Sequence, residues 1–523
     1  MGLFESVSRI KHFLLILVLV GWPEVCTLAA DLDTVGVTPL RTVTTNLDGT
    51  GIYMGQAEGG YNGNVTLWEV NPDVTGVPGE FTWIAGGASA NVFPNALGGD
   101  SPHADLVGSL LYGIPGGVIT NAAHVDNYQA SSFSQVTLPS LTSISDRIVN
   151  LSFTITGITL TMQAGYDSQY DGYADYRSTL FIGAVGDGGP VGTPGTCYDG
   201  IGVGAYGGAS SVGPTPDNGR AKPDITAPGT ATSFSTPLVS GCAAILLQAG
   251  LRGDGGSDTN SAADPRTLKA LLLNGAIKPA DWTNPAPSPL DPRYGTGILN
   301  VFNSYSQLAA RKHSFIVSNT IPLGSVHPPQ GAVGNVNSLY GWDFNSLASS
   351  ATNDTINHYY FSLGGIGNNG PFTATATLVW NRHLYQTGIN NLDLFLYQAD
   401  SGNLIAASTS TVDNVEHVFV GNLAPGRYDL QVLKHGGVMV SPAETYALAF
   451  EFFAMPLSIG NSSGNVALTW PIYPAGFRLE SNASLTQPTN WFSANLTPVI
   501  TNNQNLVILI PATGNNFFRL VRP

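Results

Sequence analysis

Two hydrophobic rhythms divide this chain. Up to about Ala310, short apolar runs alternate with stretches of helical spacing. Leu47–Gly60 reads as a glycine turn, a short strand and a terminal acid, and Val65–Val70 as a second strand. Thr179–Val185 and Gly200–Ala205 are further core strands, each beside glycine-rich turns. Ser233–Gln248 is apolar all round, as a buried helix is, and Pro237 near its front is tolerated in an opening turn. Pro265–Ala276 repeats helical spacing, with Pro first and Gly near the end. Such alternation predicts an α/β domain with a mostly parallel sheet. From about Ser314 the period becomes two. The runs Tyr359–Leu363, Phe372–Trp380, Leu392–Tyr397, Val415–Val420, Tyr428–Val432 and Tyr446–Phe450 are separated by Gly, Asn and Pro turns, the pattern of a β-sandwich. Asn465–Trp470, Phe477–Leu479, Leu506–Ile510 and Phe517–Leu520 add a few strands at the end.

The first thirty residues follow neither rhythm. Arg9, Lys11 and His12 precede the apolar run Phe13–Val20, and Thr27-Leu28-Ala29-Ala30 offers small residues for cleavage. This is the form of a secretory signal; the run is too short for a permanent membrane anchor. The net charge of −15 argues against nucleic acid or an anionic membrane as partner. Only 11% of residues are charged, but 43% are hydrophobic, which suits a turn-rich exported protein better than a disordered one. Export permits a disulfide between Cys197 and Cys242; a free thiol packed inside the helix is the alternative for Cys242.

Candidate chemistry centres on Ser233. A hydroxyl at a helix mouth sits beside free backbone N–H groups and the positive end of the helix dipole, which can hold an anion formed on the atom it attacks. Before it runs Lys222-Pro223-Asp224-Ile225-Thr226-Ala227-Pro228-Gly229, polar and turn-rich. This segment, with Thr232-Ser233-Phe234-Ser235-Thr236-Pro237 and Val239-Ser240-Gly241, resembles the nucleophile region of the subtilisin-like serine peptidases. The likeness extends from about Leu47 to Ala310, where Tyr294–Asn300 resembles the closing glycine turn of the domain.

The resemblance implies a triad. Glu58 stands where the family usually has Asp; its longer side chain can still accept a hydrogen bond from histidine Nδ1–H. Glu69 is the competing acid. Asp100–Leu110 is similar to the family's histidine segment and makes His103 the general base, although Ala104, Asp105 and Leu106 depart from its pattern. His124 is the alternative base. Ser152, Phe153 and Thr154 follow Asn150 as the family's substrate-pairing strand does and imply one wall of a groove for an extended peptide. Asp187 replaces the Asn that usually donates to the oxyanion, though kexin-like members carry Asp there. An ionised Asp has no proton to give, and loss of one such donor costs about 2.7–4 kcal/mol in the barrier. A protonated Asp would donate, but the base must be neutral, so the two demands imply a narrow or reduced activity window.

The expected architecture is a signal at 1–30, a subtilisin-like domain at 31–312, a jelly-roll-like β-sandwich at 313–455 and a small β module at 456–523. The expected activity is secreted serine endopeptidase on polypeptides, requiring no cofactor. A catalytically impaired binding module is the competing reading, fed by Glu58, the altered histidine helix and Asp187. Asn391 and Asp393 are candidate ligands for a structural calcium, with solvated strand-edge groups as the alternative.

Overall fold

The computed structural model describes residues 31–521, apart from 78–79, 286, 366–369, 439, 455–456, 463, 485–490, 502–503 and 511–514. The expected signal and its cleavage site lie outside the described residues. An eight-stranded sheet organises the first half. Its strands are β1 (Tyr53–Glu58), β2 (Phe81–Ala85), β3 (Ala88–Ala90), β4 (His124–Gln129), β5 (Ile148–Leu151), β6 (Leu180–Ala184), β7 (Ile201–Tyr206) and β8 (Ile225–Pro228). They run in the order β8-β7-β6-β5-β1-β4-β2-β3, all pairs parallel except the edge pair β2–β3. A parallel sheet is covered on both faces, so its strands read as apolar runs rather than alternations; β5 and β6 are buried at every residue.

Three helices bear on the site: α1 (Pro102–Leu111), α2 (Leu160–Arg177) and α3 (Thr232–Arg252). α3 is long and apolar enough to cross a membrane by composition, yet 89% of its most apolar window is buried inside the protein. It is a core helix, packed between β5–β8 and α1. Gly241 makes one close approach possible: a Cβ there would stand 2.5 Å from the Val118 side chain. Cys242 is buried on α3 in one apolar core, and Cys197 in a second core around Phe133, Tyr170 and Phe181. Both thiols are free, so the disulfide that export would permit is not formed.

The second half carries two antiparallel sheets of five and four strands. Alternate residues of both sheets, among them Tyr359, Phe361, Leu394, Leu396, Leu430, Val432, Leu378, Trp380, Leu448 and Phe450, form one apolar core between them. The other face of the four-stranded sheet is not solvated. Trp342, Val379, Val415, Ala447 and Ala449 join the core of the first domain. The Thr375 and Thr377 hydroxyls donate to Asn274 Oδ1 at 3.0 and 3.1 Å. Smaller antiparallel sheets follow toward the C-terminus.

Charge also crosses this seam. Asp167, Asp171 and Asp175 recur every four residues on α2, so they share one face. Arg220 pairs with Asp167 at 3.2 Å, and Arg382, from the second half, reaches Asp171 at 2.5 Å. The two guanidinium groups pack on the Tyr198 ring, 4.1 and 4.7 Å from its centroid. His383 lies between Asp175 (3.5 Å) and Glu444 (3.1 Å). Hydrogen bonds to those two carboxylates push its pKa up to about 10.

Candidate active site

β1 ends at Glu58, whose side chain is fully buried. Its Oε2 lies 3.0 Å from His103 Nδ1, and its Oε1 accepts a hydrogen bond from Gln56 Nε2 at 2.8 Å. His103 is placed by the start of α1. Ser101 caps that helix by accepting from the Ala104 N–H, and Pro102 opens the first turn. Burial opposes protonation of the imidazole, but the hydrogen bond and charge of Glu58, with the charge of Asp187, outweigh it and raise the His103 pKa. The contact with Glu58 fixes the tautomer with the proton on Nδ1, leaving Nε2 for a reaction partner.

Ser233 is the second residue of α3, and the ring of its neighbour Phe234 lies 5.8 Å from the His103 ring. Its hydroxyl donates to the Ser152 carbonyl at 3.1 Å, and the Ser152 hydroxyl donates back to the Ser233 carbonyl at 2.8 Å. Among the described residues no hydrogen bond joins Ser233 to His103. A buried chain supports this pair: Ser240 donates to Asn150 Oδ1 at 2.9 Å, and Asn150 Nδ2 donates to Ser152 Oγ at 3.0 Å. β5 ends at Leu151, so Ser152, Phe153 and Thr154 continue past the strand rather than within it.

Asp187 stands on the exposed loop after β6. The preceding residue of α3, Ala231, supplies no side-chain cap. Asp187 supplies it from afar: its Oδ1 accepts from the Thr232 N–H at 2.8 Å and from the Thr232 hydroxyl at 2.7 Å. A carboxylate there matches the positive end of the helix dipole. In this arrangement Oδ1 serves as an acceptor one residue from Ser233.

Glu58, Gly60, Val65, Gln129, Phe153, Ile155 and Tyr166 help line a cleft of about 250 Å³. Of the groove residues read from sequence, Phe153 borders it; Ser152 and Thr154 are not among its walls. The competing residues lie elsewhere. His124 pairs in register with Tyr53, five positions before Glu58, which sets it roughly 16 Å from the strand end at 3.2–3.4 Å per residue. It bonds Thr82 and Asp126 instead. Glu69 is buried on a short strand paired with Gly99–Asp100, its carboxylate oxygens without hydrogen-bond partners among the described residues. Sequence reasoning missed Gln56, Tyr112, Thr232, Asn150 and Ser240. Gln56 and Glu58 are two apart on one strand, hence on one face, and that spacing was the available signal.

Asp393 Oδ2 lies 2.8 Å from His435 Nε2, while Asp393 Oδ1 and Asn391 Oδ1 are buried without hydrogen-bond partners among the described residues. No group of three or more His, Cys, Asp or Glu among the described residues is arranged to hold a metal.

Residues 83–342 match the family model described as the subtilase family. That segment belongs to that family. The match spans His103, Asp187 and Ser233 and begins after Glu58. Comparison with curated proteins finds no match. Among solved structures, the prenylagaramide maturation protease PagA is similar at 20% identity over 53% of this chain and 99% of its own, with a TM-score of 0.37. The PatG macrocyclase in complex with peptide is similar at 16% identity over 53% and 97%, with a TM-score of 0.39. The Aeromonas sobria serine protease, in complex with its chaperone, is similar at 13% identity over 78% and 89%, with a TM-score of 0.34. The first half of this chain is thus a subtilisin-like α/β domain with a mostly parallel sheet, and antiparallel sheets follow it. Membership of the family supports a serine peptidase.

Proposed function

We propose that the chain is an exported serine endopeptidase that cleaves polypeptides through an acyl-enzyme. The 3.0 Å contact between Glu58 and His103 Nδ1, beside the helix mouth that carries Ser233, is the observation that supports this most strongly. Ser233 attacks the scissile carbonyl. For this its hydroxyl leaves the Ser152 carbonyl and donates to His103 Nε2 instead. His103 takes the proton and returns it to the leaving amine; Glu58 holds the ring and stabilises its charged form. Water then attacks the acyl-enzyme by the same route. The oxyanion forms beside the Ser233 backbone N–H and Asp187. The substrate lies extended past Ser152–Thr154, with one side chain in the cleft beside Phe153 and Tyr166. We read Met1–Ala30 as the export signal, the two larger antiparallel sheets as a β-sandwich domain at 313–455, and 456–523 as a small β module.

The competing reading, a binding module on an impaired peptidase fold, draws on two contacts. Asp187 Oδ1 is engaged as an acceptor, and the Ser233 hydroxyl is engaged by Ser152. A fluorophosphonate probe separates the two readings. Labelling of the parent, absent in Ser233→Ala, supports the peptidase. Absence of labelling in both supports the binding module.

A further inference from the structure

Gln56 is buried on β1 with no exposed surface. Its amide has three partners. Nε2 donates to Glu58 Oε1 at 2.8 Å and to the Ala104 carbonyl at 3.0 Å, while Oε1 accepts from the Tyr112 hydroxyl at 2.5 Å. These partners decide which way the amide faces. A carboxylate and a carbonyl only accept, so both require the NH₂ end; the phenol supplies a proton to the oxygen end. Tyr112 keeps that proton, because burial and then the charges of Glu58 and Asp105 push its pKa up. Gly108 gives the phenol its room: a Cβ there would lie 2.7 Å from the Tyr112 hydroxyl oxygen. Ala104 follows His103 in the first turn of α1. A single side chain therefore grips both the carboxylate and the turn that carries the imidazole.

We propose that Gln56, oriented by Tyr112, is a positioning residue that fixes the carboxylate of Glu58 against His103. A glutamate has one more rotatable bond than an aspartate, and in a buried site that freedom lets the carboxylate leave the imidazole's plane. Gln56 removes it by anchoring the oxygen that His103 does not use. The inference rests on the peptidase reading for its kinetic consequences. It does not rest on that reading for its effect on His103 itself.

The test uses the full chain with Gln56→Met, which keeps the volume and deletes the donor, and Tyr112→Phe, which deletes one oxygen. The charged and titratable groups around His103 are Glu58, Asp187 from the loop after β6 and, behind them, Asp105 on α1, whose own pKa is pushed up to about 7 by burial and its neighbours. None is altered by either change. With the anchor lost, the carboxylate leaves the imidazole's plane, the hydrogen bond and charge that raise the His103 pKa act on it less, and the proton on His103 is held less tightly. Expected for Gln56→Met are a kcat about ten-fold lower on a peptide substrate, a KM within about two-fold because Gln56 is buried behind the cleft, and an acid limb moved downward by about half to one pH unit. Tyr112→Phe moves the same quantities in the same direction by less. Histidine-labelled NMR, with His103→Gln for assignment, follows the His103 titration directly. A folded Gln56→Met protein whose His103 titrates as in the parent overturns the proposal. If Gln56→Met does not fold, Tyr112→Phe decides by the same measure. If the parent shows neither hydrolysis nor labelling, the peptidase reading fails, and the His103 titration still decides the role of Gln56.

Discussion

Replacing Asp187 by Asn changes one atom that matters. Asp187 Oδ1 already holds the Thr232 N–H and hydroxyl at 2.8 and 2.7 Å. An asparagine retains that oxygen and the capping of α3. It exchanges the second carboxylate oxygen for an NH₂ group, a donor beside the proposed oxyanion site. One such donor is worth about 2.7–4 kcal/mol of barrier, or about 10²–10³ in kcat. The charge change acts separately. Asp187 contributes to the raised His103 pKa, so a neutral residue lowers it and moves the acid limb to lower pH. Asp187→Ala removes the charge without adding a donor but also strips the cap from Thr232, so a fall in its plateau reports the cap and its limb reports the charge. The assay is the pH dependence of kcat and kcat/KM on a chromogenic peptide, with active sites counted by fluorophosphonate titration. Asp187→Asn is expected to raise the plateau by about 10²-fold or more and to shift the limb downward; Asp187→Ala is expected to shift the limb downward with no rise in the plateau. An Asp187→Asn protein with the parent's plateau and limb would refute the placement of this residue at the oxyanion.

Glu58→Gln removes the principal force raising the His103 pKa, and is expected to lower kcat by about 10⁴-fold while moving the acid limb downward, read from the same pH profiles. Arg382→Met leaves Asp171 without its 2.5 Å partner at the seam between the two halves. Breaking a buried pair in this way costs about 3–5 kcal/mol, which denaturant unfolding followed by tryptophan fluorescence would report as a lower midpoint. His383 has a folded pKa raised from 6.5 to about 10 by Asp175 and Glu444, so its stabilisation is complete below pH 6.5 and is lost as pH rises through about 10. His383→Gln should therefore flatten the fall in stability over that alkaline window; an unchanged slope would count against the contact.

The sequence by itself determined the main elements and named the candidate reactive groups. β1, β5, β6 and α3 are legible because a parallel sheet covered on both faces leaves continuous apolar runs, and because a core helix is apolar all round. Ser233 was legible because its surroundings, from Lys222 to Gly241, form one continuous segment. Tertiary structure decided what depends on residues far apart in the chain. The register of β1 with β4 chose His103 over His124 as the neighbour of Glu58, by setting His124 at the far end of the sheet. Packing of Cys197 and Cys242 into different cores left both thiols free. The cap that Asp187 provides for α3 joins residues 45 apart, and the clasp of Gln56 on Tyr112 joins residues 56 apart. Hydrophobic periodicity is a local property of the chain and is written into it. The partner of a buried polar group is whichever donor or acceptor the completed fold brings within about 3 Å, and only the closed structure selects it.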